Sequence, residues 1–297
     1  MARSLGGAPG QIGRFWRVGR RQRTRAESIT AVTLAAGLVA LLSGGCGEDD
    51  GAKAAGALRI TVADLSPGRA HYRAPRSIPA GLVRITLENK GKERRKAQLV
   101  RILGNHSITE ARRARRPFPK WLYTEGGVGF TDPGGTNSAI QRLDPGRYYI
   151  TGTYGERGTV APLRVVGERS DAKLPETAGV IRTNEYSFTT SGLKAGANTV
   201  EFSNDGFEPH HAVVAPVQAG SSVRALREFL RGKGKIPVGK VVDLDKAQET
   251  SVIERGQRQV VRLRLKPGKY ALLCFVPDRK GGQPHVAKGM VDAVTVR

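Results

Sequence analysis

The sequence predicts an all-β protein made of two tandem β-sandwich domains. Short segments in which apolar and polar residues alternate recur along the chain, separated by turns rich in glycine, proline and asparagine. Alternation with a period of two places one face of each strand on a core, and many such short strands indicate a sandwich. The pattern occurs twice, which favours two domains in 297 residues.

The first predicted domain covers residues 57–167. One short helix interrupts its strands, because Ser107 and Glu110 have the spacing of a capping box, in which each side chain satisfies a free backbone N–H group of the other residue. The predicted strands contain Leu58, Leu82, Gln98, Tyr148 and Leu163.

An internal repeat connects this domain to a second one at 178–297, across a polar linker at 168–177. Ser221 or Ser222 can cap an equivalent helix in the second copy. Because repeats set the architecture of a chain, we interpret the two regions as copies of one fold. The matching segments are 80–97 with 195–212, at an offset of 115, and 143–148 with 265–270, at an offset of 122.

The N-terminus predicts export. Residues 1–45 combine an arginine-rich start with an apolar run at 29–42, which is short for a membrane-spanning helix. Small residues at 43–45 precede Cys46, as in the lipidation site of bacterial lipoproteins. We therefore expect a lipid anchor on Cys46, a flexible tether at 46–56 and a location on the outer face of a bacterial membrane. The alternatives are an uncleaved anchor or ordinary secretion.

The chain is strongly basic, with a formal net charge of +23. Such an excess favours an anionic partner or surface. Aromatic residues are only 6% of the chain and do not interleave with a basic patch, which argues against nucleic-acid binding.

A candidate metal site lies near the C-terminus, where Cys274, His285 and Met290 follow one another on a loop between two strand-like segments. Thiolate, imidazole and thioether ligands together select copper over harder metals. His210 follows a turn, stands at the start of a valine-rich strand and supplies a fourth ligand.

In these residues the second copy resembles the cupredoxins, the blue type 1 copper proteins such as plastocyanin and azurin. The matching residues are Pro209-His210, Cys274, Pro284-His285 and Gly289-Met290. The resemblance implies Greek-key sandwiches, one copper ion in the second domain bound by His210, Cys274, His285 and Met290, and a one-electron carrier. The basic charge then suggests docking to a redox partner with an acidic surface.

The sequence departs from the family at two places. Ten residues separate Cys274 from His285, a longer loop than the family usually has. His211 stands where the family commonly has an asparagine that braces the cysteine loop. Strand alternation points His210 inward and His211 outward, towards solvent or a partner, and His211 remains the alternative ligand.

The first copy lacks the ligands, since Arg95 and Gly152 occupy the positions equivalent to His210 and Cys274. We expect it to bind no copper and to serve as a spacer or docking module. Two other hypotheses stay open for the second copy: a metal-free binding or structural module, and a site for another metal or for metal storage. No hydrolase or nucleotide-binding motif is present, and five histidines are too few for a catalytic copper centre, so we expect no enzyme activity.

Overall fold

The computed structural model describes residues 56–114, 119–152, 157–231 and 237–297. The predicted export signal, Cys46 and all but the last residue of the predicted tether lie outside the described residues. Within the described ranges the protein is all-β, as the sequence predicts, and each of the five residues named for the predicted strands of the first half lies in a strand. In those same ranges, no helix is both long and apolar enough to cross a membrane.

Ten strands belong to the first half of the chain and eight to the second. Those of the first half are β1 Gly56–Ser66, β2 Arg69–Arg73, β3 Ser77–Pro79, β4 Gly81–Asn89, β5 Arg95–Ile102, β6 Leu122–Thr131, β7 Thr136–Leu143, β8 Gly146–Thr151, β9 Arg157–Gly158 and β10 Ala161–Val166. Those of the second half are β11 Gly179–Asn184, β12 Ser187–Ser191, β13 Gly196–Asn204, β14 Val213–Pro216, β15 Gln248–Glu249, β16 Arg258–Leu265, β17 Gly268–Leu273 and β18 Val291–Val296. The predicted linker at 168–177 falls between β10 and β11.

Short helices lie between the strands. Helix α1, Ile108–Arg113, has the predicted capping box, with Ser107 and Glu110 each accepting from the other's backbone N–H. Helix α2, Val223–Leu230, is capped by Ser222. A four-residue helix α3, Val238–Val241, follows.

The strands form three sheets. A nine-stranded sheet has the order β12-β11-β13-β16-β7-β4-β1-β2-β9, a five-stranded sheet the order β3-β10-β8-β5-β6, and a four-stranded sheet the order β15-β14-β17-β18. The first half supplies the five-stranded sheet and the second half the four-stranded one. Both halves contribute to the nine-stranded sheet, and their contributions share the strand order β2-β1-β4-β7 and β12-β11-β13-β16.

Within the described ranges, backbone pairing joins the halves at two places. Strand β7 pairs antiparallel with β16, with Ile140 opposite Val260. Strand β6 also runs beside residues 249–253, where the N–H of Gly126 donates to the carbonyl of Val252 at 2.9 Å. The second place positions the candidate site, because Ile253 in the segment 249–253 also pairs with His210.

The approach of β6 to this segment requires a glycine at position 129. A Cβ atom there would lie 1.6 Å from the carbonyl oxygen of Glu249, which is backbone and cannot rotate away. Gly129 therefore sets how closely the halves pack at Glu249.

We predict that Gly129→Ala lowers the free energy of unfolding by about 2 kcal/mol or more, because the overlap must push the backbones apart. Gly239→Ala is the control, since a Cβ at that position in α3 meets nothing within 4 Å. Denaturant unfolding followed by circular dichroism measures both. Equal effects of the two substitutions would contradict the close packing described at Glu249.

Candidate metal centre

Three predicted ligand side chains meet in the interior. The Sγ of Cys274 lies 3.7 Å from Nδ1 of His210 and 3.5 Å from Nδ1 of His285, and the two Nδ1 atoms are 3.0 Å apart. All three residues are buried with no exposed surface. Among the residues that the structure describes, this is the one group of three or more His, Cys, Asp or Glu side chains placed to hold a metal.

His210 is held by backbone and amide hydrogen bonds. Its backbone pairs with that of Ile253 in both directions, at 3.1 and 2.9 Å. The buried side-chain amide of Asn204, at the end of β13, donates to the carbonyls of Glu208 and Ile253 and accepts from the N–H of Gly206. The turn between β13 and His210 is therefore fixed at several points.

The ten residues between Cys274 and His285 fold as a hairpin whose base is closed. The N–H of Val286 donates to the carbonyl of Cys274 at 2.7 Å, and the N–H of His285 donates to the carbonyl of Val276 at 2.9 Å. Pro277 and Pro284 form a bridge one step further out. Because the extra residues lie beyond this base, the long loop brings Cys274 and His285 together.

The backbone after His285 also determines the position of Met290. A 3₁₀ helix, His285–Lys288, ends at Gly289, whose φ of 103° lies in the left-handed region that glycine adopts easily. The N–H of Met290 then donates to the carbonyl of His285 at 3.0 Å, and Met290 is fully buried in the core that also contains Cys274.

His211 points away from the cluster, as strand alternation predicts, but it does not face solvent. Its side chain is buried, with Nδ1 2.8 Å from Oε1 of Glu249, and its Nε2 accepts from the N–H of Phe275 at 2.9 Å. The face opposite the site is covered by protein and not by solvent. His211 instead braces the residue that follows Cys274, the role that the resemblance gives to an asparagine.

Sequence reasoning missed the partner of His285. Asp278, inside the long loop, places Oδ1 3.0 Å from Nε2 of His285, and Tyr186 donates its hydroxyl to the same oxygen at 3.1 Å. Lys288 forms an ion pair with the other carboxylate oxygen. A carboxylate on the outer nitrogen fixes ring orientation and tautomer, so that Nδ1 of His285 faces the cluster with its lone pair.

Burial sets the protonation of the cluster. It lowers the pKa of His210 to about 3, with His285 and His211 adding to the effect, and lowers the pKa of His285 to about 4 against the opposing charge of Asp278. Burial also raises the pKa of the Cys274 thiol to about 12. At neutral pH the two imidazoles are neutral and ready to coordinate, while the thiol must lose its proton to a base when a metal binds.

The three atoms fit a metal ion. The point equidistant from them lies about 2.0 Å from each, close to the lengths of about 2.0 Å to imidazole nitrogen and about 2.3 Å to thiolate sulfur that a first-row metal such as zinc adopts. Two imidazoles and one thiolate in a trigonal set are also the donors of type 1 copper sites.

The first half has no such cluster among its described residues. Arg95, at the position equivalent to His210, is buried and pairs with Asp64 at 2.8 Å. Gly152 has no side chain to offer. The other two histidines lie elsewhere: His71 is hydrogen-bonded to Thr159, and His106 stacks on Trp121 at 4.3 Å.

No protein-family model matches the chain, and no match was found among curated proteins. Solved structures that resemble it include dithionite-reduced auracyanin from the photosynthetic bacterium Roseiflexus castenholzii, with 21% identity over 40% of this chain and 94% of that chain and a TM-score of 0.26. The copper nitrite reductase of Nitrosomonas europaea shares 13% identity over 81% of this chain and 94% of its own, with a TM-score of 0.22. TM-scores this low do not support an argument about function. That argument rests on the geometry of the site.

We predict that the metal-free protein loses stability as pH falls from about 6.5 to 4.5. Both imidazoles have folded-state pKa values below the ordinary 6.5, so the unfolded chain binds more protons in this range and stability falls with pH. Each imidazole contributes a loss of up to about 1.4 kcal/mol per pH unit. Glu249, whose pKa is lowered from 4.5 to about 2, adds its own loss only at lower pH.

Denaturant unfolding at several pH values, with and without His210→Gln, measures this dependence. The substitution removes one titrating imidazole and should flatten the loss of stability. Equal slopes for the two proteins would show that burial of His210 is not linked to stability.

Proposed function

We propose that the protein binds one copper ion through His210, Cys274 and His285, with Met290 as a weak fourth ligand, and carries single electrons. The observation that supports this most directly is the buried triangle of one sulfur and two nitrogen atoms, whose size suits a first-row metal. The proposal agrees with the cupredoxin resemblance of the same residues.

A copper ion held there would supply reversible one-electron chemistry. The chain supplies rigidity: the hairpin base fixes Cys274 and His285, the bridge to Ile253 fixes His210, and Asp278 orients the ring of His285. Because the donor atoms are already close together and shielded from water, the ligand set need not rearrange between oxidation states.

The number and positions of the histidines favour an electron carrier over an oxidase or reductase. Of the five histidines, His210 and His285 are in the cluster and His211 is paired with Glu249 and Phe275. His71 and His106 lie in the first half, one hydrogen-bonded to Thr159 and the other stacked on Trp121. This arrangement leaves no set of imidazoles for a second, catalytic copper centre in the described chain.

The partner that we propose is a redox protein with an acidic surface. The chain carries a net charge of +23, and charge of one sign steers association with the other. Phe207, 66% exposed, lies three residues before His210, with the guanidinium of Arg255 4.0 Å from its ring centroid. An exposed aromatic ring beside a cation near a ligand loop suits such docking.

The first test is the visible spectrum of the protein after Cu(II) addition and removal of the excess. We expect an intense thiolate-to-copper band that Cys274→Ser abolishes, because the substitution removes the only sulfur anion of the site. Cys46→Ser is the matched control and should leave the band unchanged. Absence of the band and of retained copper in the unsubstituted protein would favour the metal-free binding module.

We also propose that the protein is exported and anchored at the outer face of the membrane through a lipid on Cys46. Support comes from the basic start, the apolar run at 29–42 and the small residues before Cys46.

If the anchor is real, Cys46→Ala should move the protein from the membrane fraction to the soluble extracytoplasmic fraction of a bacterial host. Fractionation followed by immunoblotting measures the change, with Cys274→Ala as the control that removes the other cysteine. Membrane association that survives Cys46→Ala would favour an uncleaved anchor at residues 29–42 over the lipid.

A further inference from the structure

The long loop between Cys274 and His285 contacts the half of the chain that has no ligands. At its tip, Nη1 of Arg279 faces the carbonyl oxygens of Pro119 and Leu122 at 3.4 and 3.3 Å. The guanidinium also lies over the ring of Tyr123, 5.1 Å from the centroid. All three contacted residues belong to the first half, so one side chain ties the loop to β6 and the residues before it.

Glu254 strengthens this contact. Its Oε2 lies 2.5 Å from Nη2 of Arg279, while its Oε1 accepts from both the backbone N–H and the hydroxyl of Thr124 in β6, at 2.9 and 2.8 Å. The N–H of Arg279 donates to Oε2 of Glu208, on the turn that leads to His210. Arg279 therefore connects the cysteine loop, the histidine turn and the first half.

A second connection runs below the site. Lys96, in β5 of the first half, is buried and pairs with the buried Glu249 at 2.5 Å. The same carboxylate oxygen of Glu249 contacts His211, which accepts from the N–H of Phe275 beside Cys274. Burial alone would raise the pKa of Glu249, yet Lys96 and His211 lower it, so the carboxylate stays charged at neutral pH.

Lys96, which makes this second contact, has an equivalent residue in the second half. At the offset of 115, Lys96 is the equivalent of His211, so the first half has a cation where the second half has its bracing histidine. A buried charge is tolerated only when it is paired, and the partner of Lys96 lies in the other half. The ligand-free half therefore contributes a buried cation to the surroundings of Cys274.

We infer that the ligand-free half holds the Cys274–His285 loop closed, with Arg279 and Lys96 as its two positioning residues. Neither side chain is a ligand. Each acts through another group, Arg279 through the tip of the hairpin and Lys96 through Glu249 and His211. The length of the loop lets Arg279 reach β6 of the first half.

The inference concerns the loop, and only its copper readout rests on the proposed function. The first readout is therefore the rate at which a disulfide reagent such as DTNB labels Cys274 in the metal-free full chain with Cys46→Ala, where Cys274 is the single thiol. Cys274 is fully buried, so labelling requires the loop to open.

Arg279→Ala should raise the labelling rate about tenfold or more, and Arg279→Lys should give a smaller rise because the charge remains while the planar fork is lost. Lys280→Ala is the matched control, since the neighbouring Lys280 is exposed on the same loop and carries the same charge. Lys96→Met should also raise the rate, through the loss of the contact to Glu249. Labelling at low denaturant separates local opening, which is insensitive to denaturant, from global unfolding.

The second readout is the rate of copper loss and the position of the visible band, which should change in Arg279→Ala and not in Lys280→Ala. If Arg279→Ala and Lys280→Ala label at the same rate, the inference is wrong, whatever the copper result. If the unsubstituted protein binds no copper but Arg279→Ala still opens the loop, the proposed function fails and the inference stands. Labelling that rises only in step with global unfolding also overturns it.

Discussion

Two backbone hydrogen bonds at the base of the long loop are the constraint on which the candidate site depends. They join Val286 to Cys274 and His285 to Val276, and they hold the sulfur and the imidazole 3.5 Å apart although ten residues intervene. These bonds close only the base, and residues further out, such as Asp278 and Arg279, hold the rest of the loop against the protein.

Without a metal, the buried site lowers the stability of the folded protein. Two imidazoles and a thiol are removed from water, and the buried Nε2 of His210 has no hydrogen-bond partner. An unpaired buried polar group costs about 1–3 kcal/mol. Packing of apolar side chains around the cluster offsets this cost.

Local sequence signals predicted the parts of this structure that local chemistry decides. Alternation predicted strands such as β1 and β4, and the spacing of Ser107 and Glu110 predicted a capped helix. Soft ligand types pointed to His210, Cys274 and His285, which the structure places together.

The remaining features depend on packing between segments distant in sequence. Alternation predicts that His211 lies on the face opposite His210. It does not predict that Glu249 covers that face and shields His211 from solvent. Lys96 lies 153 positions from Glu249, and no local pattern connects the two. The offset of 115, which aligns Lys96 with His211, was the one signal that would have drawn attention to it.

The pairing of β7 with β16 has a consequence for how this chain can be divided. The pairing merges strands of both halves into one nine-stranded sheet, so neither β7 nor β16 is a free edge. Cutting the chain at the linker would convert both strands into open edges with unpaired N–H and C=O groups, which are templates for association with other chains. Each isolated half would therefore present an unpaired strand edge, which favours association with a second copy of itself.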